Sequence, residues 1–533
     1  MIFFSFFSLG LLATQAAAFK FRSGDFAPGG PMYRGPLQGN STGSEGPSRN
    51  NPGGRQDLRA LLLDPRLAWS ADTSITFPDD GESFENVTDR WSTYSAPSYL
   101  AAVSPAIEED VVQAVQLARQ NRVDFLATGG RHGYVTGFGR LQNGLAIDLS
   151  NFASVEVDEA AATLTVGGGV RARDVTGPVS QAGFELPLGG CSCPGMVGVT
   201  IGGGITNWLG VHGLLMDALL SVRLVTADGR IVEASEEANA DLFWAIRGAG
   251  ANFGIILSAT YQLFPPTNDN EIVIVETTFA AQQNVSYYEA LEVVTRTPVP
   301  ELSLNAVTVW DETTNSSVIL ANFHYFGPQE EVIEILGPIL DVGPVLYNVH
   351  TVPWSEYHHT TLFGFDEENC VPGLIHNPFG AVTINVSVPT LVRSFEIITQ
   401  LFVDYPSTRT SSVTFHSYTP EAAAAIPADA TAYGWRDALH YMYVLLTWTP
   451  GEDEEEAAAI AAGSQIRSDF AETSGYGGLA AYMNFAQGDE TVEEIYGERN
   501  LPRLASLKAT WDPENVFRYH FPLPTSYPET IEG

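Results

Sequence analysis

Three glycine-rich stretches lie close together in the chain: Gly129-Gly130-Arg131-His132-Gly133, Gly202-Gly203-Gly204 and Gly248-Ala-Gly250-Ala-Asn252-Phe-Gly254. Such loops let backbone N–H groups approach a phosphate with no Cβ in the way. One alone is usually a turn, but three in one region indicate a large phosphorylated cofactor. The simplest dinucleotide pattern is missing, since no G-x-G-x-x-G joins a strand to a helix with an acid about 20 residues on. No phosphate-binding G-x-x-x-x-G-K-S/T or zinc-binding H-E-x-x-H occurs, and Cys191-x-Cys193 lacks partners at zinc spacing, so no metal site is expected. Tyr441 and Tyr443 share one face of a strand pattern, and His416 with Tyr418 share a face of another. Together they could line a pocket, although half-buried sheet positions are the plainer reading. His358-His359 reads as surface loop, and Glu452-Asp453-Glu454-Glu455-Glu456 as a solvated helix start.

The elements that must position these residues fall into two textures. Tyr99–Val103 reads as a strand. Ser104-Pro105 then offers an N-cap and N1 proline, and Val111, Val112, Val115 and Ala118 form one helical face up to Asn121. Val123–Ala127 is the next strand, and it empties into the first glycine loop. Further strands are expected at Leu145–Leu149, Thr163–Val166, Val222–Thr226 and Ile255–Leu263, with a helix around Asp241–Arg247. Beyond Pro265-Pro266 long alternating strands appear at Ile272–Phe279, Leu302–Trp310, Val318–Tyr325, Ala381–Val388, Val413–Tyr418 and His440–Thr449. Helices near 285–297, 390–404 and 454–471 interleave with them, which suggests an antiparallel sheet carrying helices on one face.

Composition bounds the partners. With 26 basic and 63 acidic residues the net charge is −37, which disfavours nucleic acid and anionic membrane surfaces as partners. Ile2–Leu12 followed by Gln15-Ala16-Ala17-Ala18 reads as a signal peptide cleaved near Ala18, too short to span a bilayer of about 20 apolar residues. Sequons at Asn40, Asn86, Asn284, Asn315 and Asn385 accord with secretion. Three cysteines are too few for a disulfide framework. Cys370 either pairs with Cys193 in an oxidising compartment or stays buried and free.

The stretch from Pro105 through Leu263 resembles the FAD-binding domain of the p-cresol methylhydroxylase/vanillyl-alcohol oxidase superfamily (PCMH type), closest to its berberine bridge enzyme-like oxidases. The matching pieces are Gly129-Gly130-Arg131-His132, Leu145-Ala-Ile-Asp148-Leu149, Gly198-Val-Thr-Ile-Gly202-Gly203-Gly204, Gly213-Leu-Leu-Met-Asp217 and Val225-Thr-Ala-Asp228-Gly229, with Asp241 through Gly254 extending the match. Tyr482-Met-Asn484 resembles the family's Tyr-x-Asn signature, and Tyr496 through Arg518 its closing segment. Two departures stand out: Thr128 and Gly133 occupy positions where the family often has Arg and Ser, and near Cys191 the family's Val-Gly-x-Gly-Gly run reads Gly195-Met-Val-Gly198-Val.

The resemblance implies an α+β, two-lobed FAD-binding domain, discontinuous in sequence, plus a substrate domain with an antiparallel sheet backed by helices. The expected boundaries are a signal peptide at 1–18, a Gly/Pro-rich extension at 19–67, FAD-binding domain at 68–266, substrate domain at 267–484 and a return to the FAD-binding domain at 485–533. It also implies bicovalent FAD, attached through His132 at the 8α-methyl and Cys191 at C6. Gly129, Gly130, Arg131, Gly133, Gly202, Gly203, Gly204, Asp217, Gly250, Gly254, Ile255 and Asn484 are the other expected cofactor-binding residues, with Tyr482 as catalytic base. The expected activity is that of a secreted oxidase acting on a small organic molecule in secondary metabolism, with O2 as acceptor. The alternatives are an oligosaccharide oxidase forming a lactone, or a non-enzymatic binding protein on a degenerate flavin fold. Oligomeric state is not legible.

Overall fold

The computed structural model describes residues 57–528 apart from position 298. The expected signal peptide, most of the 19–67 extension and the Asn40 sequon lie outside the described residues. Three sheets organise the rest. The first holds β1 (Ser74–Thr76), β2 (Tyr99–Ser104), β3 (Phe125–Thr128) and β4 (Gly144–Asp148) in the order β1-β2-β4-β3. β4 runs parallel to both β2 and β3, so the expected strand–helix–strand unit exists with β4 inserted between its two strands. Its helix, Glu108–Asn121, begins later than Ser104-Pro105 suggested. The Ser104 hydroxyl donates to Asp148 Oδ2 at 3.1 Å instead, while Glu108, Glu109 and Asp110 do occupy the positive first turn.

The second sheet is antiparallel, with β5 (Val155–Asp158), β6 (Thr163–Gly167), β7 (Leu219–Val225), β8 (Ile231–Ser235) and β9 (Ile255–Gln262) in the order β5-β6-β9-β7-β8. Its core includes Phe243, Ile246 and Phe253, and also Tyr496, Leu501, Leu504 and Phe521 from the end of the chain. A buried ion pair locks that docking: Lys508 Nζ binds Asp512 Oδ2 at 2.7 Å and donates to the carbonyls of Asn252 and Phe517. The charges are tolerable in the core because every ammonium proton has an acceptor.

The third sheet holds β10 (Ile272–Ala280), β11 (Leu302–Asp311), β12 (Ser316–Tyr325), β13 (Leu346–Val352), β14 (Asn377–Thr383), β15 (Ser412–Tyr418) and β16 (His440–Leu446). All pairs are antiparallel, in the order β13-β10-β12-β11-β15-β16-β14. Its apolar face, with Val275, Leu304, Phe323, Phe415 and Val444, packs on the helices Asn284–Thr295, Val388–Asp404 and Asp453–Thr473. β14 lies earlier than the expected Ala381–Val388, because the Ser387 side chain caps the following helix at Thr390 N and ends the extended run. The opposite face turns toward the glycine loops. Among the described residues no helix is long and apolar enough to cross a membrane.

Candidate cofactor and active site

β3 ends at Thr128, and the chain turns at once through the first glycine loop. A Cβ on Gly129 would lie 2.4 Å from the Gly168 carbonyl oxygen, and one on Gly130 2.4 Å from the Gly195 nitrogen. The loop is therefore pressed backbone to backbone against its neighbours, and only glycine fits. Arg131 follows in the left-handed region at φ 54°, held by Nη1 on Asp148 Oδ1 at 2.7 Å. That turn presents His132. Burial first, then the charges of His376 and Arg171, push its imidazole down to about 3, so the ring is neutral at pH 7. Nε2 of His132 is buried with no hydrogen-bond partner, as is Thr128 Oγ1. Gly133 is exposed, and its carbonyl accepts from Arg90 Nη2 at 2.7 Å.

Cys191 arrives from a loop of the second sheet. A ring nitrogen of His132 and the sulfurs of Cys191 and Cys193 lie within 4.8 Å of one another. Cys193 is bonded to Cys370, which settles the alternative left open by the sequence, while Cys191 is a free, half-buried thiol 3.2 Å from Cys193 Sγ. Burial pushes the Cys191 thiol up to about 11. The disulfide joins this loop to a strap, residues 353–376. The strap also binds it through Ser192 N to Asp366 Oδ1 at 2.9 Å and His358 Nε2 to the Gly189 carbonyl at 3.0 Å. His358 is thus buried in a structural role, contrary to its surface assignment, whereas His359 is exposed.

Gly202, Gly203 and Gly204 end the helix Met196–Ile201, with Gly203 and Gly204 at positive φ. The Tyr482 oxygen accepts from the N–H groups of Gly204 (3.1 Å) and Ile205 (3.3 Å) and from Asn484 Nδ2 (2.8 Å). Burial raises its pKa, and those three donors oppose the rise. Those donors favour the ionised oxygen, but burial outweighs them and holds the phenol above its ordinary value. Asn484 Nδ2 also donates to the Val199 carbonyl, and the Asn484 main-chain carbonyl accepts from Tyr134 OH at 2.5 Å.

The remaining expected cofactor residues are placed otherwise. Asp217 has both carboxylate oxygens on Arg436, at 2.7 and 3.1 Å, and caps Leu214 N. Its side chain is buried in that ion pair. Gly250 lies against Ile201 and Gly254 against Leu224, each with no room for a Cβ, and Ile255 opens β9 opposite Val225. These three close the packing behind the loops.

The polar face of the third sheet completes the site. Register pairs Glu276 with Asn322, Asn322 with Asn305, Asn305 with His416 and His416 with Tyr441, giving one polar row across five strands. His416 Nδ1 bonds Asn305 Oδ1 and lies 3.1 Å from Tyr418 OH. With the Asn305 amide so oriented, Nδ1 carries the proton and Nε2 keeps its lone pair. That Nε2, His324 Nδ1 and Ser303 Oγ are all buried without partners. His416 also faces the Tyr443 and Phe485 rings, and Phe485 touches Tyr482 edge-on at 5.0 Å. At the far end Glu276 accepts from Phe363 N of the strap at 2.7 Å and from Asn322 at 3.2 Å; burial raises its carboxyl to about 7. An open groove of about 530 Å³ between the helix Asn284–Thr295 and Pro338–Val342 lies on the helix-backed side, away from these groups.

Sequence reasoning placed His416, Tyr418, Tyr441 and Tyr443 on shared faces, but missed Glu276, Asn305, Asn322 and His324. Their signal was polar residues at inward positions of otherwise apolar strands.

Comparison with known proteins bears on what the site holds. A family model described as FAD binding domain matches residues 99–235, and one described as Berberine and berberine like matches 481–524. FAD-linked oxidoreductase srdI of Neurospora crassa is 41% identical over 473 residues, 89% of this chain and 94% of that protein. FAD-linked oxidoreductase OXR1 of Pyricularia oryzae is 43% identical over 476 residues, 89% of this chain and 92% of that protein. Among solved structures, Physcomitrella patens BBE-like 1 superposes with TM-score 0.74 at 20% identity, covering 88% of this chain and 99% of that one. The glucooligosaccharide oxidase of Acremonium strictum, described with a 6-S-cysteinyl, 8α-N1-histidyl FAD, gives 0.73 at 24%, covering 86% and 98%. At those identities the structures share the fold.

Proposed function

The chain belongs to the berberine bridge enzyme-like FAD-linked oxidoreductases, and from that premise we propose that it is a secreted oxidase with FAD tethered through His132 and Cys191. The observation that carries the tether is the approach of a His132 nitrogen and the Cys191 sulfur within 4.8 Å, at the mouth of a glycine cradle closed to any Cβ. A neutral imidazole with an unpartnered buried Nε2 fits a group that bonds to it. Gly129, Gly130, Arg131 and Gly202 to Gly204 would hold the cofactor, with Asn484 beside it. The chemistry a bound flavin supplies is acceptance of a hydride and reoxidation by O2 to H2O2.

The chain's own residues supply orientation and a proton acceptor. Tyr482, cradled by three N–H donors, is the base we assign; His416 Nε2, joined to it through the Phe485 ring, accepts a substrate hydroxyl hydrogen and orients it. The rings of Tyr418, Tyr443 and Phe485 around His416, and the strap tied down by Cys193–Cys370, favour a small, partly aromatic organic molecule of secondary metabolism held out of water. Incubation with aromatic and aliphatic alcohols and with oligosaccharides, read by H2O2 release, tests this. Turnover of small alcohols with O2 supports the reading. Turnover of oligosaccharides alone, or reoxidation by O2 that takes minutes, overturns it.

A further inference from the structure

Trp91 lies ahead of the first family match, which starts at residue 99, and in none of the motifs that carry the resemblance. Its indole is nevertheless stacked on the His132 imidazole, with centroids 4.2 Å apart and planes 16° from parallel. The other indole face carries His376 at 3.8 Å and 13°. Trp91 N–H donates to the Arg131 carbonyl at 3.2 Å, so the same residue holds the backbone just before His132 and the ring itself.

Trp91 is fixed from the other side by the strap. Its Nε1 donates to the Asn369 carbonyl at 2.8 Å, and Gly373 N donates back to the Trp91 carbonyl at 3.1 Å. Thr93 N to the Leu374 carbonyl and Ser92 Oγ to the His376 carbonyl extend the zipper. Cys370, next to Asn369, is bonded to Cys193, two residues from Cys191. One connected set of contacts therefore runs from the His132 ring through Trp91 and the strap to the loop bearing Cys191. Nothing hydrogen-bonds His132 Nε2, so the indole face is what restricts that edge of the ring.

We propose that Trp91 is a positioning residue for covalent attachment of the cofactor at His132, an inference that rests on the tether reading above. In the attachment, the imidazole N–H and one C–H of the 8α-methyl are replaced by a C–N bond. O2 takes up the two electrons and two protons as H2O2. That bond needs the imidazole lone pair aimed within a narrow cone, and ring stacking restricts the χ angles that would swing it away. Trp91 makes no contact with substrate in this role.

The test uses the full-length holoenzyme in a Cys191→Ala background, so that only the His132 bond can retain flavin. The readout is the fraction of FAD that stays with the protein after acid precipitation, confirmed by intact mass. Cys191→Ala alone retains its flavin. Adding Trp91→Ala lowers the retained fraction at least about tenfold, and Trp91→Phe, which keeps a stacking ring, restores most of it. Trp91→Leu keeps apolar bulk without a ring and gives the same loss, which decides the matter should the Ala variant not fold. Full retention in the Leu or Ala variant overturns the role of Trp91 and leaves the tether intact. No retention in Cys191→Ala itself overturns the His132 tether, and this inference with it.

Discussion

His132 and Cys191 sit on loops of two different sheets, yet a ring nitrogen of one and the sulfur of the other lie within 4.8 Å. The His132 loop is set by Gly129 and Gly130, which admit no Cβ, and by Arg131 clamped to Asp148. The Cys191 loop is set by Cys193–Cys370 and by Ser192 N on Asp366. Two sets of anchors, joined through Trp91 and the strap, thus converge on one small volume beside the cradle that fixes the Tyr482 oxygen.

Tyr482→Phe removes the oxygen that three N–H groups share. It should lower kcat by roughly 10²–10⁴-fold with little change in KM. The orphaned Gly204 and Ile205 N–H groups should also lower stability by about 1–3 kcal/mol. His416→Gln should instead raise KM and leave most of kcat, as expected of an orienting group. Steady-state kinetics with calorimetric unfolding separates the two; an unchanged kcat in Tyr482→Phe removes it from catalysis.

Acid should destabilise the fold well before carboxylates titrate. Burial pushes His324, His376 and His440 each down to about 3, against an unfolded value near 6.5. Between those limits the unfolded state binds more protons, so stability falls as pH falls from about 6.5 toward 3. Near pH 5 these three groups add at most about 4 kcal/mol per pH unit to the slope. Glu276 acts in the opposite sense. Its raised pKa means that stability falls as pH rises from about 4.5 toward 7. Unfolding free energy measured from pH 4 to 7 should lose about one proton of slope in His440→Gln, whose ring bonds only Ser417 among the described residues, away from the tether. An unchanged slope contradicts the assignment.

Cys370→Ser should loosen the strap. The bridge spans a sequence separation of 177, and its loss should cost up to about 5 kcal/mol on the chain-entropy account. Because the same bridge places the Cys191 loop, the cysteinyl link should form less completely than the histidyl one. Peptide mass mapping of the flavinylated variant reads both yields.

Secretion predicts glycan at the sequons that face solvent. Asn86, Asn315 and Asn385 are exposed, while Asn284 is half-buried. Enzymatic deglycosylation of protein from its native host should shift the mass at the first three sites. An unmodified chain that retains residues 1–18 contradicts the secreted reading.

Local patterns were legible and cross-strand register was not. The glycine loop after β3 announces itself because strand, Gly-Gly and His132 are contiguous, and β10, β11, β12 and β15 follow from alternation over long runs. The row Glu276–Asn322–Asn305–His416 exists only once the register of four strands is fixed, and no single-strand pattern contains it. The Trp91 stack and the Cys193–Cys370 bridge depend on where the strap folds back. The edge strand β13 buries none of its residues fully and shows no two-residue alternation, so it gives a weak signal of its own. Asp217 shows the same limit: its carboxylate pairs with Arg436, far along the chain, and no local motif contains that partner.

Whether the flavin is held by two covalent bonds is read from the absorbance spectrum and peptide mass of the acid-denatured protein. A doubly tethered flavin gives a yellow precipitate, with FAD mass on the peptides containing His132 and Cys191. His132→Ala and Cys191→Ala should each retain flavin through the other link, and only the double variant should release it. A colourless precipitate from the wild-type holoenzyme, with all FAD in the supernatant, would contradict the double tether.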